Sequence, residues 1–306
     1  MNPRELTLAQ LELFVRIADA GSLSAAARQL QLTPAAASAS LKRLEAAFGT
    51  RLMERSTRSM RLTTEGELLR DHALRALGVM DDAQAQLGAG RERLSGDIHV
   101  AVPSDLGRGL LALMLDRFLE QHPDIRLTVH TSDQVQDLLR EHVDIAVRYG
   151  ELGDSSLVAR TLHVTPRVVV ASPDYLARHG VPQHPGELVR HNCLALFRSG
   201  RAHLNWLFAR NGSQTTVRVQ GNRRAHDGAL VRQWALSGLG IATKARLDVE
   251  DDLRAGHLLP LLTDWQGERF PLHAVIPAGR YLPLRVRRLM DHLVQQFSTM
   301  GDTPPA

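Results

Sequence analysis

The residue that most constrains this chain is a proline. In Leu32-Thr33-Pro34-Ala35-Ala36-Ala37-Ser38, Thr33 can cap a helix through its hydroxyl. Pro34 fits the first helical position, where a missing N–H costs nothing. The pattern predicts a helix with Ala37, Leu41, Leu44 and Phe48 as its inner stripe, ended by Gly49. Upstream, Thr7-Leu8-Ala9-Gln10 has capping-box spacing. Leu11, Phe14, Val15 and Ala18 follow at helical intervals as far as Gly21. Ser22 or Ser24 then caps a short helix through Ala25-Ala26-Ala27 to Leu30, with only Gln31-Leu32 before the next start. Two short helices so tightly joined, the second beginning Thr-Pro, form a helix-turn-helix candidate. The outer face of the second carries Ala35, Ser38, Ala39 and Lys42. Small side chains let a helix sink into a major groove, and alanine methyls can touch thymine methyls. An alanine-rich helix is also simply a good helix, so this face alone leaves both readings open.

Charge separates them further. The formal net charge is +4, and residues 1–66 hold +3 of it. Lys42, Arg43, Arg51, Arg55, Arg58 and Arg61 face only Glu45 and Glu54 over residues 41–62. Such an excess on a small domain suits a polyanion, with a solvated face as the alternative. Leu52-Met53-Glu54-Arg55 and Met60-Arg61-Leu62-Thr63 alternate like strands around Ser56-Thr57-Arg58-Ser59. That hairpin is a wing whose tip suits phosphates or the minor groove.

The run Ala26-Ala27-Arg28-Gln29-Leu30-Gln31-Leu32-Thr33-Pro34, followed by Leu44-Glu45, Gly49, Leu52, Arg55, Arg58 and Leu62-Thr63-Thr64-Glu65-Gly66, resembles the winged helix of LysR-type transcriptional regulators. The Thr-Pro pair, with Thr57-Arg58-Ser59 in the wing, resembles their CrgA-like subgroup. Many members carry Ser-Gln where this chain has Thr33-Pro34. The resemblance implies a bacterial regulator that binds double-stranded DNA through Thr33, Pro34, Ala35, Ser38, Lys42, Arg55, Thr57 and Arg58.

Thr64-x-x-Glu67 reads as a capping box opening a helix to about Arg93. Leu69, Ala73, Ala76, Met80, Ala83 and Leu87 recur at steps of four and three, the pattern of a coiled-coil seam. Packing on its own domain is the alternative. The resemblance implies a dimer helix, and a homodimer assembling to a homotetramer.

From Leu94 to Ala306, strand-like and helix-like runs alternate: Ile98–Val102, Leu110–Gln121, Ile125–His130, a helix over Gln134–Glu141, then Asp144–Tyr149. This order predicts a mainly parallel sheet with helices on both faces. Val168–Ala171 begins a second unit, and Leu284–Phe297 reads as a terminal helix before a frayed tail. Together with the resemblance, these patterns give the fold class as an α+β winged helix-turn-helix domain (1–63), a linker helix (64–93) and an α/β two-lobed domain (94–306) similar to the LysR effector-binding domain. The last resembles type 2 periplasmic binding proteins, with lobe I over about 94–165 and 271–298 and lobe II over about 166–270.

Ligands of α/β sheets sit beyond strand C-termini and at helix N-termini. That rule selects Ser104, Asp105, Ser132, Arg148, Phe197, Arg198, Asn222, His226 and Asp227. Arg148 and Arg198 could hold a carboxylate bidentately. Helix capping and surface ion pairing are the alternative roles of these residues. The resemblance implies a small-molecule effector between the lobes.

Other classes fit poorly. His191-Asn192-Cys193 lacks an orienting group, so a buried inert thiol is expected rather than a nucleophile. One cysteine excludes an internal disulfide, and the fourteen histidines form no closely spaced pairs. No phosphate-cradling glycine loop appears, so neither cofactor nor metal is expected. No apolar run approaches a membrane span. The N-terminus lacks a basic segment followed by an apolar block. These features predict a cytoplasmic protein without membrane contact. A small-molecule-binding protein or enzyme with N-terminal oligomerisation helices is the second reading, and retention on duplex DNA distinguishes the two.

Overall fold

The structure, a computed structural model, describes residues 6–55, 60–87, 94–133, 143–150, 157–198, 200–277 and 282–300. The chain divides into two compact units, Met1–Arg93 with Gly279–Leu284, and Leu94–Ala278 with Arg285–Ala306.

In the first unit, local chemistry sets the helix ends. α1 (Leu8–Ala20) opens on a complete capping box: Gln10 N donates to Thr7 Oγ1 at 3.3 Å, and Thr7 N donates to Gln10 Oε1 at 2.8 Å. It stops at Gly21, whose φ of 58° is the left-handed conformation glycine tolerates best. Ser22, not Ser24, caps α2 (Leu23–Gln29). Thr33 Oγ1 accepts from Ala36 N at 3.2 Å to start α3 (Pro34–Phe48).

These helices enclose Leu13, Phe14, Ile17, Ala26, Ala27, Ala37, Leu41 and Leu44. Leu13 and Ile17, outside the expected stripe of α1, are fully buried, whereas Leu11 and Ala18 are half-buried. A helix with neighbours on several sides buries a wider arc than one amphipathic stripe. Phe48 is a correction in the other direction. It is 41% exposed, on the last turn of α3 beyond the core.

The wing pairs β1 (Met53–Arg55) with β2 (Met60–Leu62), antiparallel. Its tip, with Thr57 and Arg58, lies outside the described residues, as does the side chain of Arg55. Glu45 Oε1 accepts from Leu52 N and Met53 N at 3.0 and 3.3 Å, so the acid in α3 is turned to the wing backbone.

α4 (Thr64–Leu87) is capped one residue earlier than expected: Thr63 Oγ1 accepts from Gly66 N at 3.0 Å. A Cβ on Gly66 would fall 2.1 Å from Leu52 O, so glycine lets this first turn pack on the wing. The expected seam divides. Leu69 packs on the domain's own core and Ala73 is buried, and Arg70 ties this end of α4 to Asp19 of α1 at 2.6 Å. Ala76 and Ala83 are half-buried. Met80 is exposed, together with Leu68 and Val79. The side chain of Leu87 and residues 88–93 lie outside the described set.

The second unit runs β3 (Ser95–Val102), α5 (Ser104–Arg108), α6 (Leu110–Gln121), β4 (Asp124–Thr131), β5 (Ile145–Tyr149), β6 (Leu157–Ala171) and α7 (Pro173–His179). It continues with β7 (Cys193–Arg198), β8 (Arg201–Ala202), β9 (Asn205–Arg210), β10 (Ser213–Arg218), β11 (Arg224–Ala225), α8 (Gly228–Leu236) and β12 (Ile241–Ala245). α9 (Arg246–Arg254), β13 (Leu259–Leu261), β14 (Gln266–Gly267), β15 (Arg269–Pro277) and α10 (Leu284–Ser298) complete it. The helix expected over Gln134–Glu141 and the tail 301–306 lie outside the described residues.

The main sheet has the order β11-β7-β12-β6-β15-β5-β3-β4. It is mixed rather than mainly parallel. β3 runs parallel to β4 and β5, and β7 parallel to β11 and β12, whereas β15 opposes β5 and β6, and β12 opposes β6. The cause is two long strands that pass between the halves. β6 pairs with β15 over Leu157–Pro166 and with β12 over Arg167–Val170. Each half keeps its own core: Ile98, Leu111, Phe118, Leu289 and Phe297 in one, Val170, Leu194, Val231, Ala242 and Val249 in the other. A separate small sheet, β10-β9-β14, flanks the second half.

Candidate functional site

In the first unit, α3 presents an open face. Thr33, Pro34, Ala35, Ala36, Ala39, Lys42 and Arg43 are exposed and Ser38 is half-buried, while Ala37, Ser40, Leu41 and Leu44 turn inward. The face offers methyls, hydroxyls and two cations. Ala36 and Arg43 belong to it and were not among the expected contacts; the exposed flank of α3 is wider than one stripe.

The second unit holds a cavity of about 100 Å³ between its halves. Asp105, Asp133, Arg148 and Tyr149 line it from the β3–β5 side, and Leu196, Gly228, Val231, Thr243, Lys244 and Asp248 from the β7–β12 side. The halves are latched across it. Asp133 accepts from Ser104 N at 3.2 Å, from Ser104 Oγ at 2.5 Å and from Gly228 N at 2.6 Å. Ala229 N donates to Ser104 Oγ at 3.1 Å. One carboxylate, Asp133, and one hydroxyl, Ser104, thus meet the positive end of α8. Lys244 and Asp105 form a buried ion pair, and Lys244 Nζ also donates to Gly228 O at 2.9 Å. Tyr149 donates its hydroxyl proton to Asp248 at 2.7 Å.

Burial raises the Asp105 carboxyl against the pull of Lys244. Burial likewise pushes Asp248 up to about 7, opposed by Lys244 and aided by the charge of Asp105. The folded state therefore keeps the Asp248 proton up to about pH 7, while the unfolded carboxyl releases it near its ordinary 3.8. Across that window the native state binds more protons, so stability falls as pH rises and levels off above it. The urea midpoint is expected to be lower at pH 8 than at pH 5.5. Asp248→Asn should flatten this slope; an unchanged slope in the variant would remove Asp248 as its source.

The expected ligand residues divide. Asp105 and Arg148 line the cavity, Ser104 stands beside it through its bond to Asp133, and the Arg148 guanidinium donates to Ser132 O. Asp227 caps α8, accepting from Leu230 N at 3.0 Å, and pairs with Arg108 at 3.4 Å across the halves. Phe197 and His226 pack edge to face with ring centres 4.5 Å apart, and neither lines the cavity. Leu196 does, and neighbours on a strand point to opposite faces. Asn222 is also a correction. It bonds reciprocally with Asn192 at 3.0 and 3.1 Å, at the start of β7, whereas the cavity lies toward the strand's other end. The side chain of Arg198 lies outside the described residues. Lys244 and Asp248 were not among the expected residues, while Asp133 and Tyr149 lie in the strand-end segments to which the rule points, next to Ser132 and Arg148. One signal for Lys244 existed: it is one of only two lysines in the chain.

Cys193 is buried, its thiol pushed up to about 12 by burial, and His191 sits beside the Tyr175 hydroxyl at 3.3 Å. That thiol is protonated at neutral pH and is no nucleophile. Among the described residues no group of three or more His, Cys, Asp or Glu could hold a metal ion, and no helix is long and apolar enough to cross a membrane.

A winged helix with an open small-residue face, in one chain with a two-halved α/β unit around a polar cavity, defines a ligand-responsive DNA-binding protein. Residues 8–67 match the model of the bacterial regulatory helix-turn-helix protein, lysR family, and residues 91–298 match the LysR substrate binding domain. The chain is 36% identical over 289 residues to the HTH-type transcriptional regulator CrgA of Neisseria meningitidis serogroup C, covering 94% of this chain and 96% of that protein. It is 30% identical over 295 residues to the HTH-type transcriptional activator AaeR of Escherichia coli, covering 96% and 95%. The solved structure of CrgA, a LysR-type transcriptional regulator from Neisseria meningitidis, matches with a TM-score of 0.62 at 34% identity, covering 97% of this chain and all of that one. The chain belongs to the LysR family of transcriptional regulators. It is an oligomeric DNA-binding regulator with a small-molecule effector domain, and not an enzyme.

Proposed function

We propose that α3 enters the major groove, with Pro34, Ala35 and Ser38 at base edges and Thr33 and Lys42 at phosphates, while Arg55, Thr57 and Arg58 of the wing reach the flanking backbone. The observation that supports this reading is the face of α3, which offers small side chains and cations while Glu45 is held by the wing. Two such heads reading one half-site each bind a near-palindromic operator. The exposed Leu68, Val79 and Met80 of α4 support a dimer seam rotated from the expected one, and dimers pair into a homotetramer. The effector is a small carboxylate that enters the cavity beside Arg148 and shifts the equilibrium between open and latched halves by its differential affinity. The protein works in the cytoplasm.

Titrating the full-length chain onto a duplex selected from a random pool tests the DNA reading. Six to ten phosphate contacts predict a loss of about 10³–10⁵ in affinity between roughly 50 and 200 mM salt. Lys42→Ala should reduce the salt slope by about one per head. Salt-independent affinity, or an unchanged slope in the variant, would remove Lys42 as a phosphate contact. A chain without affinity for any duplex would instead favour a ligand-binding protein with oligomerisation helices.

A further inference from the structure

A second cavity, of about 160 Å³, opens within the half of the ligand-binding unit built on β6, β9, β13 and β14. Its floor is apolar: Val169, Phe208, Leu261 and Leu262 are buried and Trp265 half-buried. Arg167, Arg246 and Arg269 also line it, and among the described residues no acidic side chain does. Two of these cations are each paired with a carboxylate that is not itself in the lining. Arg167 Nε bonds Glu268 at 3.2 Å and Arg246 Nε bonds Glu250 at 2.9 Å. Each contact engages only the Nε corner of a guanidinium that carries five donors. Arg269 is exposed.

Size and charge define the occupant. An apolar cavity of about 150 Å³ takes a single six-membered ring. Burial of such a body against Trp265, Phe208 and Leu261 supplies the non-directional term. A one-sided rim of arginines selects an anionic head over a neutral one. The cavity between the halves differs on both counts, being smaller and bearing Asp105, Asp133 and Asp248. We propose that the cavity floored by Trp265 and rimmed by Arg246 and Arg269 is a second, separate binding site for a compact apolar monoanion, a ring-sized body bearing one carboxylate or sulfonate.

Arg167 borders both cavities, so Arg246 and Arg269 carry the test. The full-length protein is titrated with cyclohexanecarboxylate, which does not absorb where tryptophan does, and followed by calorimetry and by tryptophan emission. Saturable binding with an emission change is expected. Calorimetric binding should persist in Trp265→Phe while the emission change disappears. Arg246→Ala/Arg269→Ala, checked for native near-UV circular dichroism, should bind at least tenfold more weakly, and cyclohexanemethanol should bind wild type at least tenfold more weakly than the acid. Ser104→Ala, at the other cavity, should leave the affinity within about twofold. Three results would each overturn the proposal: no saturable heat up to roughly 10 mM, equal affinity for acid and alcohol, or unchanged affinity in the double arginine variant. Loss of binding in Ser104→Ala would move the ligand to the cavity between the halves.

Discussion

Replacing Lys244 with methionine lowers the stability of the ligand-binding unit by about 3–5 kcal/mol, because it strands a carboxylate inside the protein. The two side chains are 7% and 3% exposed, so water screens neither. Methionine keeps most of the length of lysine and removes the charge, so packing changes little. Asp105 also has an oxygen, Oδ1, without a hydrogen-bond partner among the described residues, so when Lys244 is gone the weaker pull of the Arg232 charge takes the place of a direct partner. For a unit of this size, 1 kcal/mol shifts the melting temperature by about 2–4 °C, so the loss amounts to roughly 6–20 °C. Calorimetry of the full chain reads it directly. The loss should be smaller at pH 5 than at pH 8, since an unpartnered Asp105 takes up a proton and sheds the buried charge. Asp105→Leu in the same chain should restore much of the stability, because two apolar residues can replace a buried pair at little cost. A midpoint within about 2 °C of wild type would show that the pair contributes little.

The same ion pair explains which features sequence reading could reach. Thr7 and Gln10, Ser22, and Thr33 with Pro34 act within three residues, so their spacing alone defines α1, α2 and α3. The cavity is assembled from distant segments. Lys244 meets Asp105 across 139 positions, and Asp133 meets Gly228 across 95. Nothing local marks any of them, and only the topology of β6 and β15 brings them together. Ser104, Asp105 and Arg148 were reachable because a general rule about strand ends applies to them. Phe197 failed for want of one fact, namely which face of β7 looks into the cavity. Asn222 failed because the rule does not say which end of β11 is near. The mixed sheet was missed for a related reason: alternation of strand and helix shows crossovers, but strands shared between two halves leave no periodic trace.

The winged helix allows the sharpest test of the DNA reading. Ala39→Glu should weaken operator binding by roughly 30-fold per half-site while leaving the melting temperature unchanged. Ala39 is exposed on α3, one turn after Ala35 and one turn before Arg43, so glutamate there has room and does not touch the core. Its carboxylate would face phosphates and base acceptors, and a like charge set into such an interface costs about 2 kcal/mol or more, which is the 30-fold expected. Ala39→Arg separates charge from bulk. It is larger than glutamate, so steric exclusion predicts weaker binding, whereas electrostatics predicts binding that is retained with a steeper salt slope. Ala37→Glu supplies the contrast. Ala37 is 0% exposed among Leu13, Phe14 and Leu41, so a carboxylate there should unfold the domain and abolish binding through stability instead. Undiminished operator affinity in a folded Ala39→Glu protein would mean that this face of α3 does not meet DNA, and the reader would have to be sought elsewhere in the first unit.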